Sequence, residues 1–315
     1  MGRTDVVINS FFEDEKRFAN VINQTIFQGK EIIDYRKLGS MEGKSHIYGE
    51  EDTSRDVVKK LYDNKTIIAI IALENQQNIH YAMPLRGMTY DSQSYEAQRR
   101  KIARGHAKRK DLQGSEWISK FSKEDKLAPV ITLIIYYGVQ EWDGPTQLHD
   151  MLDISKEIKP FLSLIANYQL NLLEVTKIQN LEQYDDDLMI VFGFVKYQKD
   201  KGGLLSFVEN HKDIFSSVSR ETCRTVQAVA NVNEIDQYVE KEESEVVDMC
   251  QALQELMSDC KVEGQLEGRR QGQLEGETRF AALVKILLHH HKYDLIEQIT
   301  NDTKLRNDMY RKYKI

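Results

Sequence analysis

The chain has 315 residues, 41% of them apolar, three cysteines and a formal charge of −7. That length allows a real core, in one large domain with appendages or in two domains, and the charge argues against nonspecific coating of nucleic acid while leaving room for a local basic surface. The longest apolar run, 67–73, is too short to span a bilayer, the amino terminus lacks the zones of a signal peptide, and Cys223, Cys250 and Cys260 have no CxxC spacing; we expect a cytoplasmic protein with no membrane partner, disulfide framework or zinc cluster.

In chain order, "TDVVINSFFEDEKRFANVINQTIF" spaces Val7, Phe11, Phe18, Val21 and Ile22 as one or two amphipathic helices, and a polar loop over 39–53 follows. "RDVVKKLY" and "TIIAIIALE" are β-rich runs separated by "DNK", which has hairpin chemistry. After Pro84 a polar and basic stretch to Lys110 predicts a helix that buries Leu85, Met88, Tyr95 and Ile102. "APVITLIIYYG" over 128–138 predicts a strand, "EWDGPTQLHDML" a loop with a Gly-Pro turn signal, and "NYQLNLLEV" a further strand. The segment 188–248 reads as mainly helical, so strands and helices mix in α/β order.

From Lys261 the composition changes, with glycine at 264, 268, 272 and 276. That period keeps the glycines near one face of a helix, where close approach of another helix would offset a cost of roughly 1 kcal/mol each; a flexible charged linker is the equal alternative. The tail reads as a small helical module. Its histidines, His289, His290 and His291, point in three directions if helical and suit a polar surface better than a shared metal.

The two β-rich runs place a constellation. In a hairpin closed by a three-residue turn of Asp63, Asn64 and Lys65, Tyr62 pairs with Thr66 and Asp56 lies opposite Ala72. Asp56, Glu74 and Gln76 then share one face at one end, whereas a two-residue turn would reverse the parity and separate the carboxylates. Converged carboxylates repel, and a hard cation such as Mg²⁺ compensates them; a surface pair between Glu74 and Arg or Lys is the alternative.

The blocks "RDVVKKL", "IIALENQ" and "HYAMPLRGMTYDSQSYEAQ", with "APVITLIIYYG", "EWDGP" and "FGFVKYQKDK" in that order, closely resemble the Rpn-type recombination-promoting nucleases, also called YhgA-like putative transposases, of the PD-(D/E)xK nuclease superfamily. The resemblance implies an α/β, restriction-endonuclease-like core, a mixed sheet flanked by helices, over 1–245. A glycine-periodic helix or linker over 246–280 and a helical module over 281–315 extend it. It also implies a metal-dependent DNA endonuclease linked to recombination or mobile elements, with double-stranded DNA as partner and Mg²⁺, or Mn²⁺, as cofactor. Asp56 and Glu74 match the metal ligands, with the backbone carbonyl of Asn75 completing the protein's share, and Gln76 stands where the superfamily usually has lysine.

Glutamine can orient a water but supplies no positive charge, so a second cation is needed for the transition state. Arg86, at i,i+4 spacing from Tyr90, can contact phosphate or form a structural ion pair; Lys60 should lie about 13 Å up its strand at ~3.3 Å per residue. Asp5 or Glu13 would supply the acid that a first helix gives many relatives. The cluster of Arg99, Arg100, Lys101, Arg104, Lys108, Arg109 and Lys110, with Tyr95 nearby, can track a DNA backbone or form a solvated face. The rival reading keeps the nuclease fold without catalysis, as a DNA-binding protein or one that self-associates through its C-terminal extension.

Overall fold

The computed structural model describes residues 3–40, 56–64, 66–230 and 245–315. The polar segment 41–55, Lys65 of the expected turn and the part of the expected helical region at 231–244 lie outside the described residues. The chain forms two compact units, Met1–Ala252 and Leu253–Ile315.

The first unit opens with α1 (Arg3–Glu13) and α2 (Glu15–Thr25). Asp14 separates them and caps α2, its side chain accepting from the Lys16 and Arg17 N–H groups. The inward stripe of both helices, Ile8, Phe11, Phe12, Phe18, Val21 and Ile22, is fully buried. A five-stranded sheet follows in the order β1 (Leu38–Ser40), β2 (Val57–Asp63), β3 (Thr66–Gln76), β4 (Val130–Tyr136), β5 (Asn171–Glu174). β1, β2 and β3 pair antiparallel, whereas β3, β4 and β5 pair parallel. Parallel neighbours need a long crossover, and α3 (Met83–Arg109) supplies it between β3 and β4. Pro84 sits in its first turn, where a missing N–H costs nothing, and Lys110 ends it in the left-handed conformation. A short α4 (Gly114–Ser119) precedes β4.

One sheet face carries Val58, Ile70 and Ala72 and continues through Ile134 and Tyr136 onto Met83, Trp142 and Leu170. The other meets α1, α2 and the buried α5 (Asp186–Lys196), where Tyr137 packs beside Phe192. Then come α6 (Lys201–Asn210), α7 (Lys212–Phe215) and α8 (Arg220–Ala230), the last packed on α1 and α5, with the short pair β6 (Val218–Ser219) and β7 (Val246–Val247). This is the mixed sheet flanked by helices, with a helical extension, that the resemblance implies.

The expected hairpin turn is corrected. Pairing starts at Asp63↔Thr66, so two residues rather than three make the turn, and Asn64 takes the left-handed conformation that asparagine tolerates. On that register alone the parity would separate Asp56 from Glu74. A β-bulge at Ile68 intervenes, because Tyr62 pairs with Ile67 but Leu61 with Ala69. The extra residue shifts the register by one, restores the parity, and leaves Val57 opposite Leu73 at the last pair. Asp56, one step beyond, therefore stands opposite Glu74 rather than Ala72.

The buried face of α3 also differs from expectation. Leu85 is exposed, while Met83, Gly87 and Tyr90 are buried. Gly87 lets the Tyr168 ring close on the helix, since a Cβ there would lie 3.1 Å from that ring. Polar groups sit inward where they have partners: Asp91 accepts from the hydroxyls of Thr132 and Tyr168, each at 2.7 Å, and Gln98 bonds the Ala128 backbone. Apolar periodicity alone misses such a face.

The second unit consists of most of α9 (Met249–His289), followed by α10 (Tyr293–Asn301) and α11 (Thr303–Tyr313) around Leu283, Leu287, Ile299 and Tyr310. The glycine-periodic stretch is helix. Among the described residues, nothing lies within 4 Å of a Cβ built at Gly268, Gly272 or Gly276. The His290 ring stacks on Tyr313 and meets the His289 ring edge-on, while the His291 ring bonds the Tyr293 hydroxyl, so the three are not grouped to hold one metal.

Candidate functional site

The site forms where β2 ends and β3 runs on. Gln76 offers its carbonyl to the N–H of Tyr137, just past β4, and strand alternation therefore turns the N–H and C=O of Asn75 to the opposite side, toward β2. Asp56 and Glu74 thus form a non-hydrogen-bonded cross-strand position, the kind in which facing side chains approach most closely. Asp56 meets that backbone edge with its side chain: its Oδ2 accepts the Asn75 N–H at 2.8 Å. Its Oδ1 accepts from the side-chain amide of Asn9 on α1 at 3.5 Å.

Asn9 completes a polarised relay. The Tyr137 hydroxyl donates to Asn75 Oδ1 at 3.2 Å, the Asn75 amide donates to Asn9 Oδ1 at 3.0 Å, and the Asn9 amide donates to Asp56. Each donor points toward the carboxylate, and chains of this kind strengthen their members. Burial pushes the Asp56 carboxyl above the usual range, Asp5 adds to the shift, and the Asn75 N–H, Asn9 and Arg86 oppose it. Burial, with the Asp56 charge, pushes the Tyr137 hydroxyl up as well.

Glu74 is fully buried, and its Oε2 faces Arg86 Nη2 at 3.7 Å. The guanidinium is aimed by Tyr90, whose buried hydroxyl accepts from Arg86 Nε at 2.9 Å. Arg86 is within electrostatic reach of both carboxylates, and these charges with the Tyr90 bond outweigh its own desolvation. Gln76 ends β3, half-buried, on the same alternation as Glu74.

The two first-helix acids differ in placement. Asp5 acts on Asp56 through charge, whereas Glu13 belongs to another contact: its carbonyl and Oε2 accept from the buried Lys59 Nζ at 2.8 and 3.1 Å. That bond satisfies the carboxy-terminal end of α1, where a cation is favoured. Lys60 faces the far half of α3, near enough to Lys101 for its pKa to be lowered by that charge as well as by burial. Tyr95 turns inward, its hydroxyl accepting from the Val130 N–H. Arg99 and Arg100 clasp Glu96 at 2.7 to 2.8 Å and hold that carboxyl down to about 2, while Arg104 and Lys108 are exposed. Asn9 was missed from sequence; its one signal is a polar residue at i,i+4 from Asp5 on an inward helix face.

The donors here are carboxylate, amide and carbonyl oxygens, which suit a hard cation. Among the described residues no group of three or more His, Cys, Asp or Glu is spaced to hold a metal. The protein's share is a carboxylate pair, an arrangement that fits Mg²⁺, which usually keeps several waters. Cys223, by contrast, is buried with its thiol pushed up to about 11, unsuited to nucleophilic work. Among the described residues no helix is long and apolar enough to cross a membrane.

A protein-family model described as "Putative transposase, YhgA-like" matches residues 5–226, a span that includes every residue of this site. No curated protein and no solved structure matches the chain.

Proposed function

This chain belongs to the YhgA-like putative transposase family, and we propose that it is a metal-dependent endonuclease that hydrolyses phosphodiester bonds in double-stranded DNA. The observation that carries the reading is the register that sets Asp56 opposite Glu74 at the sheet's end, with Arg86 beside them. Asp56 and Glu74 would hold Mg²⁺ or Mn²⁺, helped by the Asn75 carbonyl, and the bound ion would supply Lewis-acid charge and a water of lowered pKa. Asn75 N–H and Asn9 fix the orientation of Asp56. Gln76, lacking the charge of the usual lysine, orients the attacking water through its amide. Arg86, aimed by Tyr90, carries the cationic role and meets the phosphate as negative charge develops.

The test is cleavage of supercoiled plasmid at low salt with Mg²⁺, Mn²⁺ or EDTA, comparing wild type with Asp56→Ala and Glu74→Ala, each checked for folding by circular dichroism. Metal-dependent cutting lost in both variants is the expected result. Absence of cutting with every metal, while DNA binding persists, would sink the catalytic reading.

Gln76 and the glycine-periodic face of α9, where an added Cβ would meet nothing among the described residues, favour a second reading, a nuclease fold retired from catalysis that self-associates through its C-terminal extension. On that reading Asp56→Ala leaves the biological effect intact and deletion after Lys261 abolishes it.

A further inference from the structure

The face of α3 that carries Arg86 continues past the carboxylates. At ~100° per residue, Gln93, Ala97, Arg100, Arg104 and Lys108 all fall within about 40° of Arg86, whereas Arg99 lies about 140° away. Arg86 is half-buried against Glu74, but Ala97, Arg100, Arg104 and Lys108 are exposed, so the stripe emerges onto the surface. Arg104 lies about 27 Å along the axis from Arg86 at ~1.5 Å per residue.

There the stripe enters a groove of about 1260 Å³ lined by the far half of α3 and by α4. Alanines at 97, 103 and 107 leave room beside Arg100 and Arg104, and Trp117 and Ile118 line it from α4. These two side chains are 68% and 75% exposed, yet the loop that presents them is braced. His106 bridges Asp111 at 2.7 Å and Asp125 at 2.8 Å, while Glu116 accepts from the Ser122 hydroxyl and the Lys123 N–H, each at 3.0 Å. Among the described residues, five Lys or Arg and no carboxylate line the groove, with Glu96 behind it bonding Arg99 and Arg100, in a chain that is acidic overall.

A polyanion with apolar faces matches this surface. In a duplex the base faces are stacked out of reach, and a rigid exposed indole gains little from phosphates; an unpaired strand offers both phosphates to Arg100 and Arg104 and a base face to Trp117. We propose that the α3–α4 groove is a second nucleic-acid subsite that takes an unpaired strand. The spacing of about 27 Å corresponds to about 8 base pairs at ~3.4 Å each, so the best substrate is a duplex with a single-stranded extension about that far from the carboxylate pair. That placement of the substrate rests on the nuclease reading; the groove's preference for unpaired strands does not.

The full-length protein offers a direct readout, because it has two tryptophans and the other, Trp142, is buried at 7% exposure. Addition of a single-stranded oligonucleotide is expected to quench tryptophan emission, in wild type and in Asp56→Ala alike, and a blunt duplex to quench it far less. By fluorescence anisotropy, Trp117→Ala should weaken single-strand binding about 5- to 150-fold, bringing its affinity toward that for blunt duplex, and Trp117→Phe should recover part of the loss. Quenching without plasmid cleavage would leave the groove standing and remove the nuclease. Cleavage without quenching, or quenching by a polyglutamate peptide or by raised protein concentration instead of DNA, would overturn the groove proposal.

Discussion

Arg86 and Glu74 are coupled across 3.7 Å, and the coupling is measurable without metal or DNA. The perturbation is a double-mutant cycle of Arg86→Met and Glu74→Gln. Two unit charges at that distance interact by about 4.5 kcal/mol at an effective dielectric near 20. The Arg86 side chain is 32% exposed, so solvent screening and the cost of holding both charges out of water reduce the net value to ~2 kcal/mol. Arg86→Met alone is therefore expected to lower stability by ~2 kcal/mol, and the double variant to lose ~1–2 kcal/mol less than the sum of the singles. The assay is urea unfolding in EDTA followed by tryptophan fluorescence, which reports on the first unit alone because Trp117 and Trp142 both lie in it. Additivity within ~0.5 kcal/mol would refute the pairing and with it the account of what accompanies a buried Glu74.

Three further outcomes follow from the charged groups. If the carboxylate pair holds Mg²⁺ as proposed, burial that raises the Asp56 carboxyl above its ordinary 3.8 would let protons compete with the ion over a higher range than at an exposed aspartate. Calorimetric Mg²⁺ affinity should fall as pH drops toward that range, and a loss confined to pH below 3.8 would count against it. His106, whose pKa Asp111 and Asp125 raise above 6.5, stabilises the fold fully below 6.5 and loses that contribution as pH rises through its folded value. His106→Gln should accordingly lower Tm more at pH 6 than at pH 9, and equal losses would rule out the charged bridge. Asp185 caps α5, and burial, with Asp187 and Asp14 nearby, pushes its carboxyl up to about 6. Asp185→Asn keeps the cap and should stabilise the protein by ~1–2 kcal/mol at pH 7, an advantage that fades as pH falls from about 6 toward 4. An advantage independent of pH would point to a cause other than ionisation.

Much of the site was legible because its logic is local. Strand alternation is a property of the backbone, so "RDVVKKL" and "IIALENQ" on either side of a turn narrow the carboxylate question to one of parity. Helical spacing likewise sets Arg86 beside Tyr90, and the ordered blocks of the chain carry the family. Tertiary structure decided what spacing leaves open. The turn is one residue shorter than its sequence suggested, and only the bulge at Ile68 returns Asp56 to Glu74, because register depends on how two strands settle against a shared core.

The same holds for the partners of each charge. Asp5 and Glu13 are equivalent candidates along α1, yet Lys59 engages one and Asp56 feels the other, since the helix docks at a single rotation about its axis. Asn9 becomes a support of Asp56 only when α1 lies over the end of β3, and Trp117 becomes a groove wall only when the loop after α3 is braced through His106. The sequence by itself determined which groups exist and on which local face each lies. Which of them meet was decided by long-range packing, because contacts between distant segments are set by the burial of a common core rather than by local spacing.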